Sequence, residues 1–447
     1  MMKKRIIMIA VFFTVILLSV YAQGKEIIVQ GTNLAEKLNW LNVFVQSNNV
    51  YILEVNVDER IPPYSFDYSG KNNITITIRG IGANRFIRSN GGTLFTVGSS
   101  NTLVLDNNII IHGGVNLGTG GNLIMNKGVV ISTGGVNVDG GTFTMNDGEI
   151  SGNTVGVSVG SGGIVSHSGV FIMNGGTISG NTSSGVTMQY GGGTFTMNDG
   201  IISGNAFGGV ALAAGTFTMN GGSIVSNTIT ANSADFRVGG GGVRVINTNT
   251  SFIMNGGKIS NNRATGYLGG GVYVHNGGTF TMKNGEISGN STTGIGSGRN
   301  RGGGSGGGVS LYAGGNFTMS GGTISGNTAS DNGGGVHVHG TFTMSSGTIS
   351  SNTARDNGGG VYISNESIFT KTGGTITGYI NDAENGNVVK NTSDAIQNFR
   401  GHAVYAGSTD TVLKIKGNTA EHSDDLSYGE RIGRFGYSPT VKGDWDN

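Results

Sequence analysis

One phrase, restated with small changes between about Leu123 and Phe369, limits what this chain can become. Its clearest copy is Phe143-Thr144-Met145-Asn146-Asp147-Gly148-Glu149-Ile150-Ser151-Gly152-Asn153. The wording returns at Phe171, Phe195, Phe217, Phe252, Phe280, Phe317 and Phe342, and more loosely at Leu123 and Phe369. The methionines of successive copies lie 20 to 37 residues apart. Self-similarity at that period predicts a stacked architecture, in which no repeat buries its apolar face alone.

Within a copy, Phe143-Thr144-Met145 alternates as a half-buried strand does, and Asn146-Asp147-Gly148 reads as a turn. A second short strand centres on Ile150, and a second turn follows at Ser151-Gly152-Asn153. Most copies add a third segment of the form Gly-Gly-Gly-Val-x-Val, as at Gly269–Val274, Gly306–Leu311, Gly333–Val338 and Gly358–Ile363. Three short strands and three turns make one rung of a parallel β-helix, so the chain is expected to be all-β with about ten to twelve rungs. A helical solenoid is excluded, because 86 of the 447 residues are glycine and each would cost a helix about 1 kcal/mol. Collagen is excluded too: the glycines keep no three-residue period and there are three prolines.

Rungs stack about 4.8 Å apart, so equivalent residues should form columns. Inward columns of Phe, Met and Ile are expected, the last running from Ile150 through Ile178, Ile202, Ile224, Ile259, Ile287 and Ile324 to Ile349. Asn153, Asn181, Asn205, Asn227, Asn262, Asn290, Asn327 and Asn352 should form a ladder of amides at one corner, each donating and accepting along the stack.

In chain order, Met1–Ala22 reads as a secretory signal: Lys3-Lys4-Arg5, then an apolar run, then Val20-Tyr21-Ala22 before the cut. The mature chain is expected to carry no transmembrane anchor. With no cysteine, no disulfide staples the fold. Residues 23–93 read as an N-terminal cap, with Asn33 and Glu36 as a capping box before an amphipathic helix. The coil is expected over residues 94–406, and a C-terminal cap and polar tail over 407–447. Long corners are expected at Thr228–Arg237 and at Ser291–Gly308, the second a mobile loop with Arg299 and Arg301.

The pairing of Ile324-Ser325-Gly326-Asn327 with Gly333-Gly334-Gly335-Val336 resembles the two signatures of polymorphic outer membrane proteins, a Phe-x-x-Asn phrase and Gly-Gly-Ala-Ile. Ile here replaces the Phe, and Gly-Gly-Gly-Val replaces Gly-Gly-Ala-Ile. That family ends in a membrane barrel, and no set of alternating ten-residue strands follows Phe369. More broadly, residues Leu94–Ala406 resemble secreted bacterial proteins with the right-handed, pectin-lyase-like β-helix. The resemblance implies fold far more than function.

Many proteins of that superfamily cleave polysaccharides, so a polysaccharide lyase or glycoside hydrolase is the rival to a binding module. Such sites need carboxylates clustered for a cation or paired across a glycosidic bond. Charged residues are only 12% of this chain, against about 25% in typical domains. The acids on the rungs, Asp147, Glu149, Asp199 and Glu286, occupy turn slots that other repeats fill with Gly, Ser, Thr or Lys, which fits solubilising corners. Asp331-Asn332 and Asp356-Asn357 precede successive glycine runs and could stack into a small cation site, although turn chemistry explains them equally. A net charge of +1 offers no basic patch for nucleic acid. No catalytic residue, metal ligand or cofactor is therefore assigned.

The remaining signal lies between the valines of the third strand, in slots that should face solvent. Small polar residues in the first half give way to Tyr273, His275, Tyr312, His337, His339 and Tyr362 in the second. Stacked, these six would form one exposed aromatic strip about 15 Å long. Rings flanked by hydrogen-bonding groups suit sugars, so the chain is expected to be a secreted or surface-exposed, non-catalytic module. A glycan or another surface protein is its expected partner.

Overall fold

Each Phe-x-Met phrase becomes a strand because its two large side chains find the same residue one rung away. Phe143 pairs with Phe171 and Met145 with Met173, and the register repeats without a slip from Phe171 to Phe195 and on to Phe217 and Phe252. The computed structural model of the chain describes residues 25–160, 167–230, 239–266, 268–294, 304–364, 367–379, 382–397, 401–408, 411–413 and 440–443. Across them three faces of parallel strands wind around a core, and the chain is a parallel β-helix. The signal segment 1–22, Arg299, Arg301 and most of the tail, residues 414–439 and 444–447, lie outside the described residues.

The inner columns form as expected. Consecutive phenylalanine rings from Phe143 to Phe369 stack face to face, with centroids 4.5 to 4.9 Å apart. Met145, Met173, Met197 and Met219 are fully buried beside them, as are Ile150, Ile178, Ile202 and Ile224. The buried asparagines make a continuous ladder: Asn153 Nδ2 donates to Asn181 Oδ1 at 3.1 Å, and Asn181 to Asn205 and Asn205 to Asn227 at 2.8 Å. Each Oδ1 also accepts a main-chain amide from the rung before, as Asn181 does from Asn153 at 3.0 Å. Buried amides left unpaired would be costly, and the ladder pairs them.

The ladder runs one rung further than the repeat wording suggested. Asn352 Nδ2 donates to Asn387 Oδ1 at 2.8 Å, although Asn387 sits outside any Ile-Ser-Gly-Asn phrase. A second amide ladder runs along the exposed turns. It starts at Asp106, whose Oδ1 takes Asn126 Nδ2 at 3.2 Å, and continues through Asn146, Asn174, Asn198 and Asn220 to Asn255.

Two expectations need correction. Stacking begins before Leu94: Val50–Val55 and Ile74–Gly80, placed by sequence in the cap, already pair in coil register with Asn101–Asp106. Beneath them the helix Leu34–Phe44 buries Leu34, Leu38 and Leu41. Its capping box is shifted. Asn33 accepts from Glu36 N at 2.8 Å, but the Glu36 carboxylate returns to Thr32 N at 2.9 Å, and those bonds hold it below the usual carboxylate range.

The second correction is a fourth strand per rung in the second half. Thr228–Thr230, Arg263–Thr265, Ser291–Thr293, Thr328–Ala329, Thr353–Ala354 and Val388–Val389 form a separate parallel sheet. The corners expected as loops at Thr228 and Ser291 thus open with strands; residues 231–238 and 295–303 lie outside the described set. Among the described residues no helix is long and apolar enough to cross a membrane.

Candidate functional site

The third strand of each rung places its valines inward, with Val272, Val274, Val336 and Val338 fully buried. The slots between and after them form two outward columns. The first runs Arg244, Tyr273, Ser310, His337, Tyr362, Tyr405. The second runs Ile246, His275, Tyr312 and then His339. The six residues singled out by sequence therefore do come together.

They form two tracks of rings, however, not one strip. In one, Tyr273 stacks on His275 and His275 on Tyr312, with centroids 5.7 Å apart in both steps, and Tyr312 meets His339 edge to face at 4.7 Å. In the other, Ser310 Oγ lies 3.3 Å from His337 Nδ1, His337 stacks on Tyr362 at 5.5 Å, and Tyr362 stacks on Tyr405 at 5.6 Å. Tyr405, in register with Tyr362, extends the second track by a rung.

The strip was expected to be exposed, and Tyr273 is not: its ring has no solvent contact. The cause is main chain. A Cβ added to Gly239 would fall 2.9 Å from Tyr273 Cδ1, and one added to Gly269 would fall 2.9 Å from Tyr273 Cβ. Gly269, at φ +68°, turns the chain back over the outer side of the strand it is about to start. Gly270 then passes against the fourth sheet, where a Cβ would lie 2.7 Å from Ser291 N. Gly271 passes against the ladder, where a Cβ would lie 3.0 Å from Asn290 Nδ2. His275, Tyr312, His337, His339 and Tyr362 keep partial exposure.

The covering sets the electrostatics of the tracks. Burial, with His339 beside it, pushes the His337 imidazole down to about 3, against a weaker opposing pull from the Leu311 main chain. Burial also pushes the Tyr362 phenol up to about 12, helped by Tyr405 and by the carboxylates of Asp331 and Asp356. Those two acids therefore belong to the surroundings of the aromatic track. Their corners stack: Asn357 Nδ2 donates to Asn332 Oδ1 at 2.9 Å, and Asn332 Nδ2 to Asp331 Oδ1 at 3.2 Å. Among the described residues no three His, Asp or Glu side chains are grouped to hold a metal ion.

The other acids sit in turns. Asp147 Oδ1 accepts from Gly148 N at 2.7 Å, and Asp199 Oδ1 from Gly200 N at 2.8 Å, so each closes its own corner. The register puts Val130 and Thr177 beside Glu149, so no second carboxylate adjoins it across either rung. Glu286 pairs with Lys258 at 3.0 Å, and hydrogen bonds from Ser288 and Lys258 hold it below the usual carboxylate range.

This arrangement defines the molecule as a parallel β-helix with one aromatic, partly covered face. Compared with known proteins, the chain matches no family model, no curated protein and no solved structure.

Proposed function

We propose that the protein is a secreted or surface-exposed, non-catalytic β-helix that contacts carbohydrate through the aromatic face of its second half, as an adhesion or structural module. The observation that carries this reading is the pair of ring tracks, with the carboxylates of Asp331 and Asp356 acting on Tyr362 of the second. Ring faces offer apolar, quadrupolar contact to the C–H faces of a sugar, and carboxylates accept from its hydroxyls with charge-assisted strength. The signal-like Met1–Ala22 and the resemblance to polymorphic outer membrane proteins and pectin-lyase-like repeats support the location.

The test is a glycan array probed with the mature chain and with a variant carrying His275→Ser, Tyr312→Ser, His339→Ser and Tyr362→Ser, which strips both tracks. Binding by the parent and its loss in the folded variant support the reading. Equal binding by both places the contact elsewhere. Release of unsaturated or reducing ends from a polysaccharide, abolished by Asp331→Asn or Asp356→Asn, would replace the binding module with the lyase or hydrolase.

A further inference from the structure

The chain is rich in Asn-Gly pairs, the sequence most prone to deamidation, and the coil treats them unequally. In the exposed ladder, Asn220 donates to Asn198 Oδ1 and Asn255 to Asn220 Oδ1, both at 2.9 Å, so each side chain points along the stack. The amides that would have to attack are held elsewhere. Gly221 N donates to Met197 O at 3.4 Å and Gly256 N to Met219 O at 3.3 Å. At the aromatic corners Gly333 N donates to Asn357 O at 3.0 Å, and near the end of the coil Gly386 N donates to Asp382 O at 2.7 Å.

Asn284 differs from these four sites. Its rung has Lys283 where earlier rungs carry the ladder asparagine, so Asn284 stands one slot later, in the turn position of Asp147 and Asp199. The side chain is exposed, and Gly285 N donates back to Asn284 Oδ1 at 2.8 Å. Gly285 holds φ +97°, which a residue with a Cβ rarely adopts, and a Cβ there would also fall 2.6 Å from Met254 Cε. The turn therefore fixes the attacking nitrogen against the carbonyl group it must attack, the orientation that removes most of the entropic barrier to ring closure.

We propose that Asn284 is a self-modifying site of this coil. Gly285 N gives up its proton to solvent base and bonds to Asn284 Cγ. The Cγ–Nδ2 bond breaks, ammonia leaves with the proton returned, and a five-membered succinimide remains. Water then opens the ring at either carbonyl, so that the net change is loss of ammonia and gain of water. Opening at one carbonyl gives aspartate, and the turn already holds that side chain at Asp147 and Asp199. Opening at the other gives isoaspartate, which threads an extra methylene into the main chain between Thr279–Met282 and Glu286–Ser288. Asp147 and Asp199 share the geometry but present carboxylates, far poorer electrophiles, so Asn284 reacts ahead of them.

The test is peptide mapping by mass spectrometry of the folded full chain, held in mildly alkaline buffer and sampled over time, with the denatured chain alongside. Conversion at Asn284 at least roughly tenfold faster than at Asn220, Asn255 or Asn332 in the folded chain is expected, and similar rates at all four in the denatured chain. The Asn284→Gln variant should lose the early acidic species while the other three sites keep their rates. Conversion of Asn220 or Asn255 as fast as Asn284 in the folded chain would overturn the proposal, as would slower conversion of Asn284 in the folded than in the denatured chain.

Discussion

The two halves of the coil share a core and differ at one corner. In the first half three or four residues join the ladder asparagine to the third strand, as between Asn153 and Val157 or Asn181 and Val186. In the second half at least eight do, as between Asn327 and Val336 or Asn352 and Val361. The longer corner has room for a fourth strand and for a backbone that folds over the outer face, and glycine is what lets that backbone lie so close. Where the corner is short, the outward slots hold Asn137, Ser158 and Thr187; where it is long, they hold Arg244 and Ser310 but also Tyr273, His337, Tyr362 and Tyr405. A change in corner length thus turns a bare polar face into a sheltered aromatic one without disturbing the core. In a solenoid each rung answers mainly to its neighbours, so such a change can stay local.

The shared core should respond equally in both halves. Phe217→Ala and Phe342→Ala each remove a ring from a continuous stack and should each cost about 3–5 kcal/mol in chemical denaturation. Thr218→Ala, on the outer side of the same strand, should cost under about 1 kcal/mol. A much cheaper Phe342→Ala would mean that the halves do not share one core.

The corner should respond in one half only. Gly270→Val drives a side chain into the Ser291 main chain, an overpacking cost of about 1–3 kcal/mol. Amide exchange should speed up at Arg263–Thr265 and Ser291–Thr293 and stay unchanged at Val157–Val159. Equal loosening at both places would show that the fourth sheet is not a separate local layer.

These two tests also divide what the sequence revealed from what it hid. The Phe, Met, Ile and Asn columns were legible because a solenoid writes each inner contact as a repeated letter, and a one-residue slip would turn every side chain over. The fourth strand was not legible. Arg263–Thr265 and Ser291–Thr293 are too short to alternate, and they are held by main-chain bonds to the rungs above and below. The aromatic positions were legible from register, yet the burial of Tyr273 was not, because Gly239 and Gly269 cover it with backbone and backbone leaves no pattern. Asn387 joined the ladder unseen for a related reason: residues 378–386 interrupt the phrase that marks every earlier rung.

The halves should also differ in their response to pH. His337 has its pKa lowered from 6.5 to about 3 by folding, so the unfolded chain takes up that proton first. Its contribution to stability is intact above about pH 6.5 and is lost as pH falls toward about 3, by at most about 1.4 kcal/mol per pH unit. Val336 and Val338 should lose exchange protection on acidification sooner than Val157 and Val159, and His337→Gln should remove the difference. An unchanged slope in that variant would assign the acid sensitivity to another group.

The most direct test of the account is hydrogen exchange of the mature chain with and without an oligosaccharide taken from the array. Added protection should appear at Val272–His275, Val309–Tyr312 and Val336–His339, with Val157–Val159 and Val186–Met188 unaffected. Protection confined to the first half, or to the Phe-Thr-Met face, would contradict the claim that the long glycine corners built the contact surface.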